Sequence, residues 1–184
     1  MQWLIGLLLV AIIVGVYVFS TYNGFISLKN KCEEAFSTMD VYLTKRYDLI
    51  PNLVETVKGY ASHEKETLDS VVAARNKAMS ANTVEAKIEA EQGLAGTLGR
   101  LFALSENYPD LKANTNFLDL QSQLQLMESE IANARKYYNG VVKMFNTKVE
   151  QFPSNIIAGM FNFVQRPLFE VVDASRRENV KVQF

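Results

Sequence analysis

Residues 3–19, WLIGLLLVAIIVGVYVF, form the stretch that decides the fold, because none of these seventeen side chains is charged or strongly polar. At a rise of 1.5 Å per residue, a helix of this length spans about 26 Å, slightly less than the hydrocarbon core of a bilayer at about 30 Å. Trp3 lies at one end, and Tyr17 and Tyr22 lie at the other, where aromatic side chains anchor a helix in the membrane interfaces. The sequence therefore predicts a transmembrane anchor over residues 1–23.

A cleavable signal peptide and a buried core helix are the alternatives to an anchor. A signal peptide begins with a basic segment and ends in a small-residue cleavage site, but Met1 and Gln2 carry no charged side chain and no Ala-x-Ala pattern follows Phe19. Core helices are rarely apolar on every face over such a length. Lys29 and Lys31 follow the stretch and nothing basic precedes it, so the positive-inside rule places the N-terminus outside and the soluble part in the cytoplasm.

Composition limits the function classes of the remaining chain, which at about 160 residues is long enough for one domain with a sizeable core. A net charge of −1 gives no basic footprint for a nucleic acid. The single cysteine, Cys32, falls on an apolar stripe, which favours a small buried side chain over a nucleophile. The single histidine, His63, cannot complete a di-iron bundle site or a catalytic triad. We therefore predict no catalytic, cofactor-binding or metal-ligating residue, no small-molecule substrate and no enzymatic activity.

Four helices are predicted after the anchor, because apolar residues recur there every three or four positions. The periodic apolar residues extend over residues 25–58, 68–79, 84–105 and 117–149, and the fourth helix is expected to be about 40 residues long. Pro51 lacks an N–H and predicts a kink in the first of them. Gly59 suits a helix stop, and Ser62 and Thr83 suit the N-cap positions of the next two helices. Close helix–helix contact is predicted at three glycines of the third helix: Gly93, Gly96 and Gly99.

The fourth predicted helix carries a heptad seam of apolar side chains spaced three and four apart. Because the connections between helices are short, an up-down arrangement is favoured. The predicted fold is therefore all-α, with an N-terminal transmembrane helix followed, over residues 24–152, by an antiparallel up-down four-helix bundle with a kinked long first helix. The register of that bundle predicts these neighbours: Leu28 and Val149, Asp40 and Arg135, and Arg46 with Glu128 or Glu130.

Three motifs resemble the LemA family. They are RYDLIPNLVETVKGYA at residues 46–61, ENYPDLKAN at residues 106–114 and IANARKYYN at residues 131–139. The resemblance covers nearly the whole chain, although it weakens after Gly159. The resemblance implies a protein of a bacterial membrane, with a single N-terminal membrane helix followed by a four-helix bundle. Together with the predicted cytoplasmic position of the bundle, it predicts the inner membrane. It implies no established biochemical activity and brings no catalytic residue to this chain.

The first of these motifs contains a candidate docking face for a protein partner, made by Arg46, Asp48, Asn52 and Glu55. The last three of these side chains lie on one side of a helix. The alternative is a solvated or ion-paired face around the proline kink, which is the commoner role of charged rows on helices.

Residues 153–184 form a C-terminal tail, whose apolar side chains at Ile157, Met160, Phe161 and Val164 fall on one helical face. Because the fourth helix of the predicted bundle returns towards the membrane, the tail can lie in the interface as an amphipathic helix. It can equally fold onto the open end of the bundle. Residues 171–184 show no clear period, and we expect poor order or a short extended piece there.

Two functional hypotheses follow from these features. The first is a non-enzymatic, membrane-tethered helical scaffold or adaptor that recruits a protein partner, since the chain combines an anchor with long helices and lacks a catalytic set. The second is a homo-oligomer that organises or shapes the membrane through its apolar tail and the sides of its bundle. Copurification in mild detergent distinguishes a distinct partner from a large homomeric particle.

Overall fold

The computed structural model describes residues 1–169, which form six helices and contain no strand. In chain order they are α1 (Gln2–Lys58), α2 (Lys65–Ser80), α3 (Val84–Ser105), α4 (Pro109–Lys112), α5 (Thr115–Glu150) and α6 (Ser154–Met160). The prediction of an all-α chain with one long apolar N-terminal helix is confirmed. The expectation for residues 171–184 lies outside the described residues.

Helix α1 runs without interruption for 57 residues, so the predicted anchor and the first predicted bundle helix are one helix. Pro51 lies inside it, yet the helix continues to Lys58. A proline cannot donate a hydrogen bond to the carbonyl four residues earlier, which here belongs to Tyr47. The side chain of Arg75 on α2 supplies a donor instead, because its Nε–H donates to the Tyr47 carbonyl oxygen at 2.7 Å. This contact satisfies the backbone group that Pro51 cannot reach.

The described chain divides into two compact units. The first contains Met1–Lys45 and Gln125–Leu168, and the second contains Arg46–Leu124 together with Phe169. Aromatic rings form much of the interior of the first unit. Phe25 on α1 stacks on Phe163 at 4.7 Å between ring centroids and meets Phe145 on α5 edge-on at 6.0 Å. Further along α1, Phe36 meets Tyr138 at 5.8 Å. These rings join α1, α5 and the segment after α6.

Helix α5 carries the predicted apolar seam and is 36 residues long, slightly shorter than the helix of about 40 residues expected from the sequence. Most of the seam is buried, and its buried members are Phe117, Leu124, Ile131, Ala134, Tyr138, Val141 and Phe145. Burial at three- and four-residue intervals is what a helix with one core-facing stripe produces. The seam prediction is therefore confirmed as a buried stripe.

In the second unit, helices α2 and α3 pack against each other, and their starts differ in how they are capped. Thr83 caps α3 as predicted, because its hydroxyl oxygen accepts a hydrogen bond from the Ala86 N–H at 3.1 Å. The prediction of Ser62 as the N-cap of α2 is wrong. A turn occupies that part of the connection, the cap position is Glu64, and its side chain makes no capping bond. The Glu64 carboxylate instead accepts a hydrogen bond from the Tyr108 hydroxyl at 3.1 Å.

The three glycines of α3 do not mark helix contacts. A Cβ built at Gly93, Gly96 or Gly99 would have no described atom within 4 Å outside its own surroundings in the helix. The core-facing stripe of α3 lies elsewhere on the helix and includes Ala90, Leu94, Leu98 and Leu101. The prediction of close packing at these glycines is therefore wrong, because they lie on the exposed face.

Candidate functional site

The N-terminal part of α1 is both apolar and exposed. Among the described residues it belongs to the one helix that is long and apolar enough to cross a membrane. A core helix of a soluble protein can pass the same test of composition, but such a helix is buried, whereas almost none of this segment is. Burial begins only at Thr21 and Phe25. A continuous apolar surface of this length marks a site of interaction with an apolar environment.

The three predicted interfacial aromatic residues have different surroundings. Trp3 is almost fully exposed at the start of α1, and Tyr17 is partly exposed. Tyr22 instead packs against the tail, with its ring centroid 4.7 Å from that of Phe161 and 5.8 Å from that of Phe163. Tyr22 therefore joins α1 to the segment after α6, at the point where the exposed apolar segment ends.

The tail does not form one amphipathic helix with the predicted apolar face. Helix α6 ends at Met160, and Asn162 adopts a left-handed conformation with a φ of 55°. The Phe163 N–H then donates to the Ala158 carbonyl oxygen at 2.9 Å, which is the bond that closes a Schellman helix end. Val164 consequently lies beyond the helix. Of the two alternatives for the tail, the continuous amphipathic helix is wrong, because asparagine tolerates this conformation and lets the chain turn so that Phe163 reaches Phe25.

The four apolar residues predicted on that face separate into two groups. Ile157 is buried with a relative exposure of 4%. The other three keep exposed surface: Met160, Phe161 and Val164. The tail is also tied to α5, because the Asn146 side chain donates to the Arg166 carbonyl and accepts from the Arg166 N–H, both at 2.8 Å. The tail thus packs within the first unit while part of its apolar surface remains exposed.

Arg46 lies inside the second unit with only 2% of its surface exposed, so it is not part of a docking face as predicted. Its guanidinium forms an ion pair with the Glu91 carboxylate of α3, and the Tyr47 hydroxyl donates to the same carboxylate. A buried charge requires a partner of this kind, because transfer out of water is otherwise strongly unfavourable. The other predicted pairs, Asp40 with Arg135 and Arg46 with Glu128 or Glu130, stay predictions.

The remaining docking residues lie on the surface of α1. Asp48, Asn52 and Glu55 are exposed. Two of them line a polar groove of about 460 Å³ in the second unit, hereafter the polar groove. Its walls are Asn52, Glu55, Thr56, Asn116, Asp119, Leu120 and Gln123. Carboxylates and amides of this kind can accept hydrogen bonds from basic side chains and from backbone N–H groups.

The single cysteine has the properties of an interior residue. Cys32 is buried in the first unit, and burial raises the pKa of its thiol above the ordinary value of 9.0 despite the lowering effect of the Arg166 charge. A thiol that stays protonated at neutral pH is a poor nucleophile. His63 is exposed in the turn before α2. Within residues 1–169, no group of three or more His, Cys, Asp or Glu side chains is placed to hold a metal ion.

Comparison with known proteins gives the family. A sequence model of the LemA family matches residues 35–184. This chain belongs to the LemA family. It is 25% identical over 149 residues to Protein LemA of Metamycoplasma hominis, an alignment that covers 80% of this chain and 68% of that protein.

Magnetosome proteins are also similar to this LemA chain. It is 22% identical over 175 residues to magnetosome protein MamQ 1 of Paramagnetospirillum magneticum, covering 81% of this chain and 64% of that protein. It is 22% identical over 168 residues to magnetosome protein MamQ of Magnetospirillum gryphiswaldense, covering 77% and 62%. The chain thus spans slightly less than two thirds of the length of these magnetosome relatives.

The match to the LemA family begins at residue 35, so it leaves out the exposed apolar segment and includes the polar groove and the buried ion pair. In this LemA protein, the motif at residues 46–61 contributes Arg46 and Tyr47 to the interior and Asn52 and Glu55 to the groove. The sequence did not predict Glu91 of α3 as the partner of Arg46, nor the groove residues Asn116, Asp119 and Gln123 of α5, because these residues are far from the motif in sequence and carry no local pattern.

Proposed function

We propose that this protein is a non-enzymatic scaffold, anchored in a membrane by the N-terminal part of α1, that docks a protein partner at the polar groove. The observation that carries the proposal is that one uninterrupted helix, α1, contains both the exposed apolar segment and three residues that line the groove, Asn52, Glu55 and Thr56. The likeness to magnetosome proteins supports association with a membrane.

The chemistry of the polar groove defines the partner that it fits. Glu55 and Asp119 place two carboxylates in its walls, and Asn52, Asn116 and Gln123 add amides. Carboxylates bind guanidinium and ammonium groups through charge-assisted hydrogen bonds. We therefore expect a partner that presents arginine or lysine side chains from an exposed segment.

Charge reversal in the polar groove tests the docking proposal. A photo-crosslinking side chain at Asn52 in full-length protein should give a discrete crosslinked product in cells. The double change Glu55→Lys and Asp119→Lys should reduce the yield of that product at least about tenfold, because each reversal replaces attraction to a basic partner by repulsion. Immunoblotting of the crosslinked species gives the yield.

A matched control separates the groove from general surface charge. Glu66 and Asp69 on α2 are exposed carboxylates outside the groove. Reversing both to lysine makes the same change in net charge and should leave the crosslinked product unchanged. Equal loss in both double variants, or no product from Asn52, would argue against docking at the groove.

A homo-oligomer that organises the membrane is the second candidate function, and the exposed surface of α5 favours it. Tyr137 and Met144 are exposed and line an apolar groove of about 460 Å³ on that helix in the first unit. Exposed apolar grooves of this kind are common sites of protein association. A homomeric particle of several chains in mild detergent would favour this function, whereas a complex of one chain with a distinct protein would favour the scaffold.

Two finer features belong to the proposed arrangement. The antiparallel four-helix bundle is supported by the order of ring pairs in the first unit, Phe25 with Phe145 and Phe36 with Tyr138. Cysteines at Leu28 and Val149 should then crosslink within one chain, and failure to do so would contradict the register.

An inner-membrane location with the soluble part in the cytoplasm predicts that a cysteine at Ser80 is protected from an impermeant thiol reagent in intact cells.

A further inference from the structure

A second groove lies in the first unit, where the exposed apolar segment of α1 ends. Its volume is about 650 Å³, and it is hereafter called the lysine groove. Its walls are Tyr17, Thr21, Leu28, Gly140, Lys143, Met144, Thr147, Lys148, Gln151, Phe152, Pro153 and Ser154. It is separate from the polar groove and shares no residue with it.

The position of the lysine groove along α1 matches the boundary of a bilayer. Tyr17 belongs to the apolar segment, and Leu28 lies eleven residues further along the helix, a distance of about 17 Å. The groove therefore begins at the depth of the hydrocarbon and extends beyond it, across a headgroup region that is roughly 5–8 Å thick on each side. The exposed Phe152 continues its apolar wall.

Two ammonium groups supply the positive charge of the lysine groove. Lys143 is exposed, and Lys148 is half-buried with its Nζ 5.0 Å from the centre of the Phe25 ring. Lys148 approaches α1 at Gly24, where the Lys148 Nζ occupies the space that a Cβ would need. Across residues 1–169, neither lysine forms an ion pair with a carboxylate. Both charges are therefore available to an anionic ligand.

The polar and apolar walls of the lysine groove together complement the two chemical parts of a phospholipid, its charged headgroup and its acyl chains. Thr147 and Gln151 stand beside the two lysines as exposed hydrogen-bonding groups, whereas Tyr17, Leu28 and Met144 form the apolar side. The Ser154 hydroxyl is directed elsewhere, because it donates to backbone carbonyls of Lys148 and Gln151. The lining of the groove therefore combines cationic, neutral polar and apolar groups, which is the combination that a phospholipid headgroup with its first acyl carbons requires.

We propose that the lysine groove binds an anionic phospholipid of the surrounding membrane, with its phosphate at Lys143 and Lys148 and its acyl chain along the apolar wall. This inference rests on the proposed membrane span but not on partner docking. Two lysines are fewer than the four to eight of a polybasic surface cluster, so the groove geometry has to supply the selectivity. The ligand is a membrane lipid and not a free phosphate, because half of the groove wall is apolar.

Native mass spectrometry of the full-length protein in mild detergent tests this inference. The protein is offered an equal mixture of phosphatidylglycerol and phosphatidylcholine, and glycerol phosphate alone in a separate sample. We expect phosphatidylglycerol to be retained at least about fivefold more than phosphatidylcholine, from the attraction of a lysine to an anionic lipid surface. The variant Lys143→Gln with Lys148→Gln should lose that preference, and the variant with arginine at both positions should keep it.

A control and a second measurement make the outcome decisive. Lys31→Gln with Lys136→Gln removes two exposed lysines outside the lysine groove and should keep the preference. Equal loss in this control, equal retention of the two lipids, or comparable binding of glycerol phosphate overturns the inference. Alkaline extraction of each variant from membranes is measured in parallel. Because the span alone should hold all variants in the membrane, a failure of the lipid site is distinguishable from a failure of the anchor.

Discussion

Replacing Glu91 with alanine is expected to lower the free energy of unfolding by about 3–5 kcal/mol, because the change removes the Glu91 carboxylate that pairs with the buried Arg46 guanidinium. Arg46 is 2% exposed and cannot regain contact with water without displacing its neighbours. The Tyr47 hydroxyl loses the same acceptor. Urea unfolding of the full-length protein in mild detergent, followed by far-ultraviolet circular dichroism, measures the effect.

A second ion pair of α3 provides the matched control. Glu89 binds Lys77 at 2.7 Å, but both side chains are largely exposed. The hydrogen bond from Lys77 lowers the pKa of Glu89 below its ordinary value of 4.5, so any stabilisation is present above that pH and is lost as the pH falls through the lowered pKa. Glu89→Ala should hardly change unfolding at neutral pH, since exposed pairs contribute little. Equal effects of Glu89→Ala and Glu91→Ala would contradict the buried-pair account.

Replacing both partners distinguishes the cost of removing one member of the ion pair from the net contribution of the pair. The double variant Arg46→Met with Glu91→Leu removes both charges while keeping apolar volume. Such replacements of buried ion pairs are often neutral or stabilising. We therefore expect the double variant to recover most of the stability lost in Glu91→Ala.

Removing residues 1–20 is expected to release the protein from the membrane into the soluble fraction. Residues 3–19 contain twelve Leu, Ile, Val or Phe side chains. At 0.3–0.6 kcal/mol each, their insertion into a membrane is favourable by roughly 4–7 kcal/mol. The truncation stops before Thr21 and Tyr22 because the first is buried and the second packs on Phe161. The released protein should keep the helical circular dichroism of its folded part.

Alkaline extraction followed by centrifugation checks this prediction against the full-length chain. The full-length protein should stay in the pellet, and the truncated protein should appear in the supernatant. If the truncated protein stays in the pellet, another segment holds it there. The exposed apolar residues of the tail, such as Met160 and Val164, would then be the first to change.

The parts of the fold that depend on periodicity could be predicted from the sequence. Apolar residues on one helical face must be buried, so the buried stripes of α1 and α5 follow the spacing of their side chains. The start of α3 and its cap at Thr83 follow from a local hydrogen bond across three residues. The exposed apolar segment is likewise visible in composition alone.

The contacts between distant residues could not be predicted in this way. Pro51 implies that the Tyr47 carbonyl lacks its helical donor, but nothing local shows that Arg75, 28 residues beyond Tyr47, supplies one. The partner of Arg46 is similarly distant at Glu91. A buried arginine and an exposed docking arginine look the same in a sequence, so the docking face was predicted with one residue too many.

The tail shows a third kind of failure, in which a helical pattern continued past the end of the helix. Asn162 is an ordinary polar residue in the periodic pattern, yet its left-handed conformation ends α6. The competing contact is the stack of Phe163 on Phe25, which periodicity does not describe.

Spin-label accessibility of full-length protein in lipid vesicles tests the central claim most directly, namely that the N-terminal part of α1 spans a bilayer while its later part lies in water. Ile12 and Val41 form a matched pair, because their exposed fractions on the same helix are 52% and 53%. A label at Ile12 should be more accessible to oxygen, which concentrates in hydrocarbon, than to a water-soluble nickel chelate. A label at Val41 should show the reverse. Preferential access of the nickel chelate at both positions would contradict the membrane-spanning account.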